Sequence, residues 1–304
     1  MGKTRQALQT SHAEMERMAS GPAQVAAHSV ERRNRLSYAE FANDFLKPYV
    51  PVVIAGALAH WKALNWTPEY FRQWFPDHPL NIDGKKYRMA EFIDLVLNSS
   101  DERPAPYLRN EIVDRFMPQL LEDLQPMPEY FSPNWLDGPM AQLLHSRFDR
   151  GRAQFFIGGR GQKFPFLHFD GWHSHAFICQ IYGTKEFTLY SPDQTPYLYV
   201  KPNQYNASQI PDLENPDYDK FPLFARSTPM CFQLQPGELL FIPGGWWHTA
   251  KMLGPSITIS VNRANASNWS RLTRDFCTTA PLPLKPVVAV YLTGMRVFRA
   301  LYGS

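Results

Sequence analysis

Apolar and polar positions along this chain follow two periods, and the change falls near residue 150. Before it the spacing is mostly helical. Ser37-Tyr38-Ala39-Glu40 has the S-x-x-E form of a capping box, and Phe41, Phe45 and Leu46 follow at helical intervals until Pro48, which predicts a short helix. Pro51-Val52-Val53-Ile54 reads as a strand ended by Ala55-Gly56. Thr67-Pro68 opens a helix carrying Tyr70, Phe71, Trp74 and Phe75, and Met89 to Leu97 sets Phe92, Ile93, Val96 and Leu97 on one side of another. Residues 1–35 are polar and mixed in charge, so a flexible, loosely helical lead-in is expected there, followed by a mainly helical portion over 36–150.

From Gln154 the period falls to two, in short runs punctuated by Gly and Pro. The strands predicted are Gln154–Gly158, Ala176–Tyr182, Lys185–Tyr190, Met230–Leu234, Glu238–Ile242, His248–Met252 and Ser256–Asn262. In the last, Ile257, Ile259 and Val261 alternate with Ser256, Thr258, Ser260 and Asn262, so one face is apolar and the other forms hydrogen bonds. A polar face turns inward only where the interior holds water or a polar ligand. The expected fold is mainly β with flanking helices. It has a helical N-terminal region, a barrel of the sandwich or jelly-roll type over 151–265, and helices over 266–304. Trp269, Leu272 and Phe276 mark the first of those helices. Val288, Tyr291, Leu292, Met295, Phe298 and Leu301 form an apolar stripe on a terminal one.

Composition narrows the function classes. The 304 residues carry 31 Lys+Arg against 28 Asp+Glu, and the formal charge of +3 is too small for a nucleic-acid footprint. A nucleic-acid partner is therefore not expected. No run reaches the ~18–20 apolar residues of a membrane span, and the first residues lack a signal-like apolar stretch, so a cytoplasmic protein is expected. Cys179, Cys231 and Cys277 are odd in number and far apart, which favours neither a disulfide framework nor a thiolate metal site.

The candidate chemistry centres on His168-Phe169-Asp170. In extended backbone, residues two apart emerge on one face, so this pair can meet one ion. His248, at the end of Pro243-Gly244-Gly245-Trp246-Trp247-His248, offers a third ligand from a tight turn. Two imidazoles and one carboxylate on one face of a cation leave three adjacent positions open, the pattern of non-haem Fe(II) oxygenases. Lys185 shares parity with the apolar Phe187 and Leu189, so its ammonium points inward, where it needs an anion. A dicarboxylate whose other end is a metal-chelating 2-oxo acid meets that need.

At these residues the chain resembles the jumonji-C, cupin-like 2-oxoglutarate oxygenases, over about Pro51 to Asn268. The spacing from His168 to Lys185 and from His248 to Asn262, and the phrase before His248, are similar to the lysyl hydroxylase branch. Ser191-Pro192-Asp193-Gln194 and Asn215-Pro216-Asp217-Tyr218 resemble segments of the asparaginyl hydroxylase branch. The resemblance implies a double-stranded β-helix, with His168, Asp170 and His248 holding Fe(II) and Lys185 pairing with 2-oxoglutarate. It further implies that Ser260 and Asn262 lie near that cosubstrate. O2 is the oxidant, succinate and CO2 are products, and ascorbate is the expected reductant in vitro. The substrate implied is a protein or peptide side chain, or a small molecule, and the stripe from Val288 to Leu301 resembles the C-terminal helices through which relatives dimerise, which implies a homodimer. Pro165 and Ile178 depart from polar residues that relatives place around the cosubstrate. Trp172, His173 and His175, in the loop after the first two ligands, and Trp246, beside the third, are candidate substrate contacts. Two other readings stay open: a metal-binding cupin module without catalysis, and a cupin metalloenzyme that does not use 2-oxoglutarate.

Overall fold

The computed structural model describes residues 29–135 and 152–279, with the short stretches 285–286, 289–290, 293–294 and 296–297. Two sheets face each other. The larger has seven strands in the order β1 (Glu31–Asn34), β2 (Val52–Ala55), β12 (Leu239–Ile242), β7 (His175–Tyr182), β14 (Ser256–Arg263), β6 (Ala153–Gly158) and β5 (Leu108–Ile112). The smaller runs β11 (Met230–Leu234), β8 (Lys185–Tyr190) and β13 (Trp247–Met252). Apart from the parallel pair β1 and β2, neighbours are antiparallel. All seven strands expected after residue 150 are present, each within a residue of its expected bounds.

The alternation in β14 sorts the two faces as its pattern requires. Ile257, Ile259 and Val261 join Phe155, Ile157, Phe177, Cys179, Leu239 and Phe241 in a core shared with the N-terminal helices. The other face looks toward the smaller sheet, where Ala176, Ile178, Leu240 and Ile242 meet Phe187, Leu189 and Leu234. Between these layers the polar side chains of β14 are enclosed: Thr258 donates to Gln180 Oε1 at 2.9 Å, and Gln180 Nε2 donates to Ser256 Oγ at 2.9 Å.

The helices pack on the outer face of the large sheet. Ser37 Oγ accepts from the Glu40 N–H at 3.3 Å and Glu40 accepts from the Ser37 N–H at 2.9 Å, completing the capping box of the helix Tyr38–Phe41. Thr67 caps Pro68–Trp74, and Met89–Leu97 buries Met89, Phe92, Ile93 and Val96, while Leu97, expected on the same side, is exposed. A helix also spans Trp269–Thr279.

The first half holds more strand than its spacing predicts. Glu31–Asn34 is a strand where a loosely helical lead-in was expected, and β5 extends the sheet on its far edge. Pro79–Ile82 (β3) and Lys85–Arg88 (β4) pair as a hairpin. Residues 1–28 and the apolar stripe from Val288 to Leu301 on which the homodimer expectation rests lie outside the described residues. Among the described residues no helix is long and apolar enough to cross a membrane.

Candidate active site

His168 is carried by a short extended segment lying beside β13. It bridges both His248 and Ala207 of β10 (Gln204–Ser208), a strand that pairs with β9 (Val200–Lys201). The His168 N–H donates to the His248 carbonyl at 3.1 Å and the His248 N–H donates to the His168 carbonyl at 2.6 Å. Residues directly opposed in an antiparallel pair project to the same side. The two imidazoles accordingly stand together, with ring centroids 4.4 Å apart.

Asp170 joins them as the sequence spacing requires. Phe169, between the two ligands, turns the other way and packs edge-on against Trp247 at 4.9 Å. Ligand atoms of His168, Asp170 and His248 all fall within 4.8 Å of one another. The histidines are set for coordination. Nδ1 of His168 lies 3.3 Å from the Phe166 carbonyl, and Nδ1 of His248 lies 3.0 Å from that of Trp246. A carbonyl only accepts, so each Nδ1 carries a proton and Nε2 is the nitrogen left to coordinate. Burial, and the nearby His248, push the His168 pKa down to about 3, which keeps this ring neutral. An N, N, O donor set on hydrogen-bonded backbone suits a divalent transition metal.

The ring of Phe164 stacks on His168 at 4.3 Å and walls a cavity that is partly open to solvent. Lys185 lines the same cavity. It starts β8 directly after a turn in which Gly183, at φ +67°, lies so close to the Pro255 carbonyl that no Cβ fits. Its side chain is buried between the rings of Tyr107 and Phe156, with Nζ 5.7 Å from each centroid and 3.5 Å from the Tyr107 hydroxyl. No carboxylate of the chain pairs with it among the described residues, and burial pulls its pKa down to about 7. A cation enclosed in this way is a receptor for an anion.

Ser260 and Asn262 line the cavity on the polar side of β14. Asn262 is also bonded to Asp170. The four candidate substrate residues are elsewhere. Trp246 is packed among Val53, Leu240 and Ile242 and donates through Nε1 to the Tyr49 carbonyl at 2.9 Å. His175 shares the parity of Phe177 and so faces the helix side of the sheet. There Gly244 N–H donates to its Nδ1 and its Nε2 meets Ser267 Oγ at 2.8 Å, while burial lowers its pKa to about 3. His173 Nδ1 meets Asp275 at 2.6 Å on the C-terminal helix, and the Trp172 N–H bonds to the Tyr205 hydroxyl at 2.8 Å; neither residue lines the cavity.

Sequence reasoning missed Tyr107, Asn110, Gln154 and Thr258, which line the cavity with the residues above. Two of these carried a signal. Thr258 belongs to the polar row of β14, and Gln154 is the cross-strand partner of Ser260. Tyr107 ends a proline-rich loop, where no period exists to read.

Residues 77–264 match the family of the cupin-like domain, which covers more than half of the chain. Lysine-specific demethylase 8 of Danio rerio is 31% identical over 79% of this chain and 60% of its own. A bifunctional arginine demethylase and lysyl-hydroxylase of Caenorhabditis elegans is 24% identical over 77% of this chain and 60% of its own. A tRNA wybutosine-synthesizing protein of Gallus gallus is 34% identical over 55% of this chain and 45% of its own. The chain thus spans less than two thirds of the length of each.

Proposed function

The chain belongs to the cupin-like domain family, and from that membership we propose that it is an Fe(II)- and 2-oxoglutarate-dependent oxygenase. It hydroxylates an unactivated C–H of a protein or peptide side chain or of a small molecule. The observation that carries this reading is a two-histidine, one-aspartate face sharing one cavity with an enclosed lysine that has no carboxylate partner among the described residues. A structural metal site has no use for such a lysine, which argues against a non-catalytic module. The same lysine argues against an enzyme that dispenses with 2-oxoglutarate.

Fe(II) with 2-oxoglutarate supplies O2 activation, with release of succinate and CO2. The protein does the rest. His168, Asp170 and His248 would hold the metal. Lys185, with the Tyr107 hydroxyl beside it, orients the dicarboxylate. Ser260 adds a hydroxyl to the same wall, and Phe164, Phe156 and Ile178 keep the surroundings dry.

Succinate production by the purified protein with Fe(II), ascorbate and 2-oxoglutarate tests the assignment. Turnover above the His168→Ala background is expected, with thermal protection by N-oxalylglycine that Lys185→Ala abolishes. Equal succinate from both proteins, or no protection of the parent, overturns it. Cytoplasmic residence and a homodimer through the stripe from Val288 to Leu301 belong to the same reading. Sedimentation of the chain against one ending at Ala280 tests the dimer.

A further inference from the structure

The resemblance to 2-oxoglutarate oxygenases implies that Asn262 serves the cosubstrate, but its hydrogen bonds are spent on something else. Its Nδ2 donates to Asp170 Oδ2 at 3.0 Å and to Ser174 Oγ at 3.2 Å. Its Oδ1 accepts from Gln154 Nε2 at 3.4 Å. A primary amide has two N–H groups, and both are committed. The orientation of the amide is determined by its neighbours, because reversing it would set its oxygen against the Asp170 carboxylate and its N–H groups against those of Gln154. Asn262 is itself buried, at 6% exposure.

Asp170 needs such a partner. His168 is held by paired backbone bonds to His248, whereas Asp170 (φ −63°, ψ 132°) stands at the head of an irregular turn. In that turn Trp172 and His173 take left-handed φ values of 58° and 48°. Ser174, the second acceptor of Asn262, closes the turn by donating to the Gly171 carbonyl at 3.2 Å. One amide on the rigid end of β14 thus grips both the ligand and the far end of its loop.

The geometry points to Asn262 as a positioning residue that holds Asp170 Oδ2. The carboxylate then offers the metal its other oxygen alone, and three adjacent coordination positions stay open. This rests on the reading of His168, Asp170 and His248 as metal ligands. A bidentate Asp170 would occupy one of the positions that a chelating 2-oxo acid and O2 both need.

The test measures Co(II) affinity of the full chain by calorimetry for the parent, Asn262→Ala and Asn262→Leu, then 2-oxoglutarate affinity at saturating Co(II). Loss of a partner to a metal ligand typically costs 10–100-fold in metal affinity, so Co(II) binding should weaken by about tenfold or more while 2-oxoglutarate affinity stays within about twofold. Unchanged Co(II) affinity in both variants overturns the assignment. So does weakened 2-oxoglutarate binding with Co(II) affinity intact, which would make Asn262 a cosubstrate contact. A parent protein that fails to bind Co(II) would strike down the metal site itself, a different failure. A crystal structure of the Mn(II)-loaded parent decides without any variant: Asp170 bound through one oxygen with the other on Asn262 supports the assignment, and a bidentate Asp170 overturns it.

Discussion

His168 and His248, eighty positions apart in the chain, donate their backbone N–H groups to each other's carbonyls. The pairing does not depend on either side chain, so the backbone places both imidazoles before any metal arrives. His248→Ala should leave the metal-free protein folded, with little change in its melting temperature. Co(II) affinity should fall by more than about 100-fold, beyond the range expected for outer-shell changes. Calorimetric titration and a thermal melt of the same preparation check both halves.

Lys185 makes the protein sensitive to pH in a definite direction. Burial lowers its pKa from 10.5 to about 7. Between those values the unfolded chain holds the proton and the folded one does not, so stability rises with pH over that window. Below pH 7 the fold carries the full cost of the buried ammonium. Each tenfold loss of proton affinity on folding corresponds to about 1.4 kcal/mol. Lys185→Met should therefore be more stable than the parent by a few kcal/mol at pH 6, with the gap closing toward pH 10. Binding of N-oxalylglycine should take up a proton and weaken from pH 6 to pH 9. Denaturant melts and calorimetry in buffers of different ionisation enthalpy read these effects, and tighter binding at pH 9 would contradict them.

Gly244 lies against the main chain of the loop that follows Asp170. An added Cβ would collide with the His173 carbonyl, which is backbone and cannot swing aside. Gly244→Ala should push this loop and the turn before His248 apart. Metal affinity should fall together with the melting temperature, unlike His248→Ala, where affinity falls alone.

Phe241 sits at the centre of the main core, fully buried, with Phe41 at 4.9 Å and Phe177 at 5.1 Å between ring centroids. Phe241→Ala should cost about 3–5 kcal/mol, the usual range for a large aromatic cavity. Urea unfolding of the metal-free protein measures it, and a loss under about 1 kcal/mol would mean that the sheet and helices are not packed as described.

What the sequence made legible depends on whether a period exists to be read. The alternation of Ile257, Ile259 and Val261 with polar neighbours placed both faces of β14. The two-residue step from His168 to Asp170 brought two candidate ligands to one face, and the parity of Lys185 with Phe187 turned it inward. Where alternation is interrupted the reading fails. Glu31-Arg32-Arg33-Asn34 has no apolar residue, and β5 is broken by Asn110 at φ 59°. His175, expected near the substrate, shares the parity of Phe177 that sends it to the helix side. Trp246 sits within a tight turn beside Gly245 at φ +92°, where strand parity no longer applies. Tyr107 reaches Lys185 only through tertiary folding, and no local pattern announces it.

The pairing of β2 with β12 bears on how the protein can be divided. Residues 77–264 match the family, yet Val52, Val53 and Ile54 pair with Phe241, Leu240 and Leu239 from outside that stretch. A fragment trimmed to the matched span would bare an entire flank of β12, with unsatisfied amides and carbonyls beside the greasiest strand of the molecule. Such a flank recruits other chains. The trimmed fragment would be sticky and short-lived in solution, and the smallest unit able to stand alone must begin upstream of Val52.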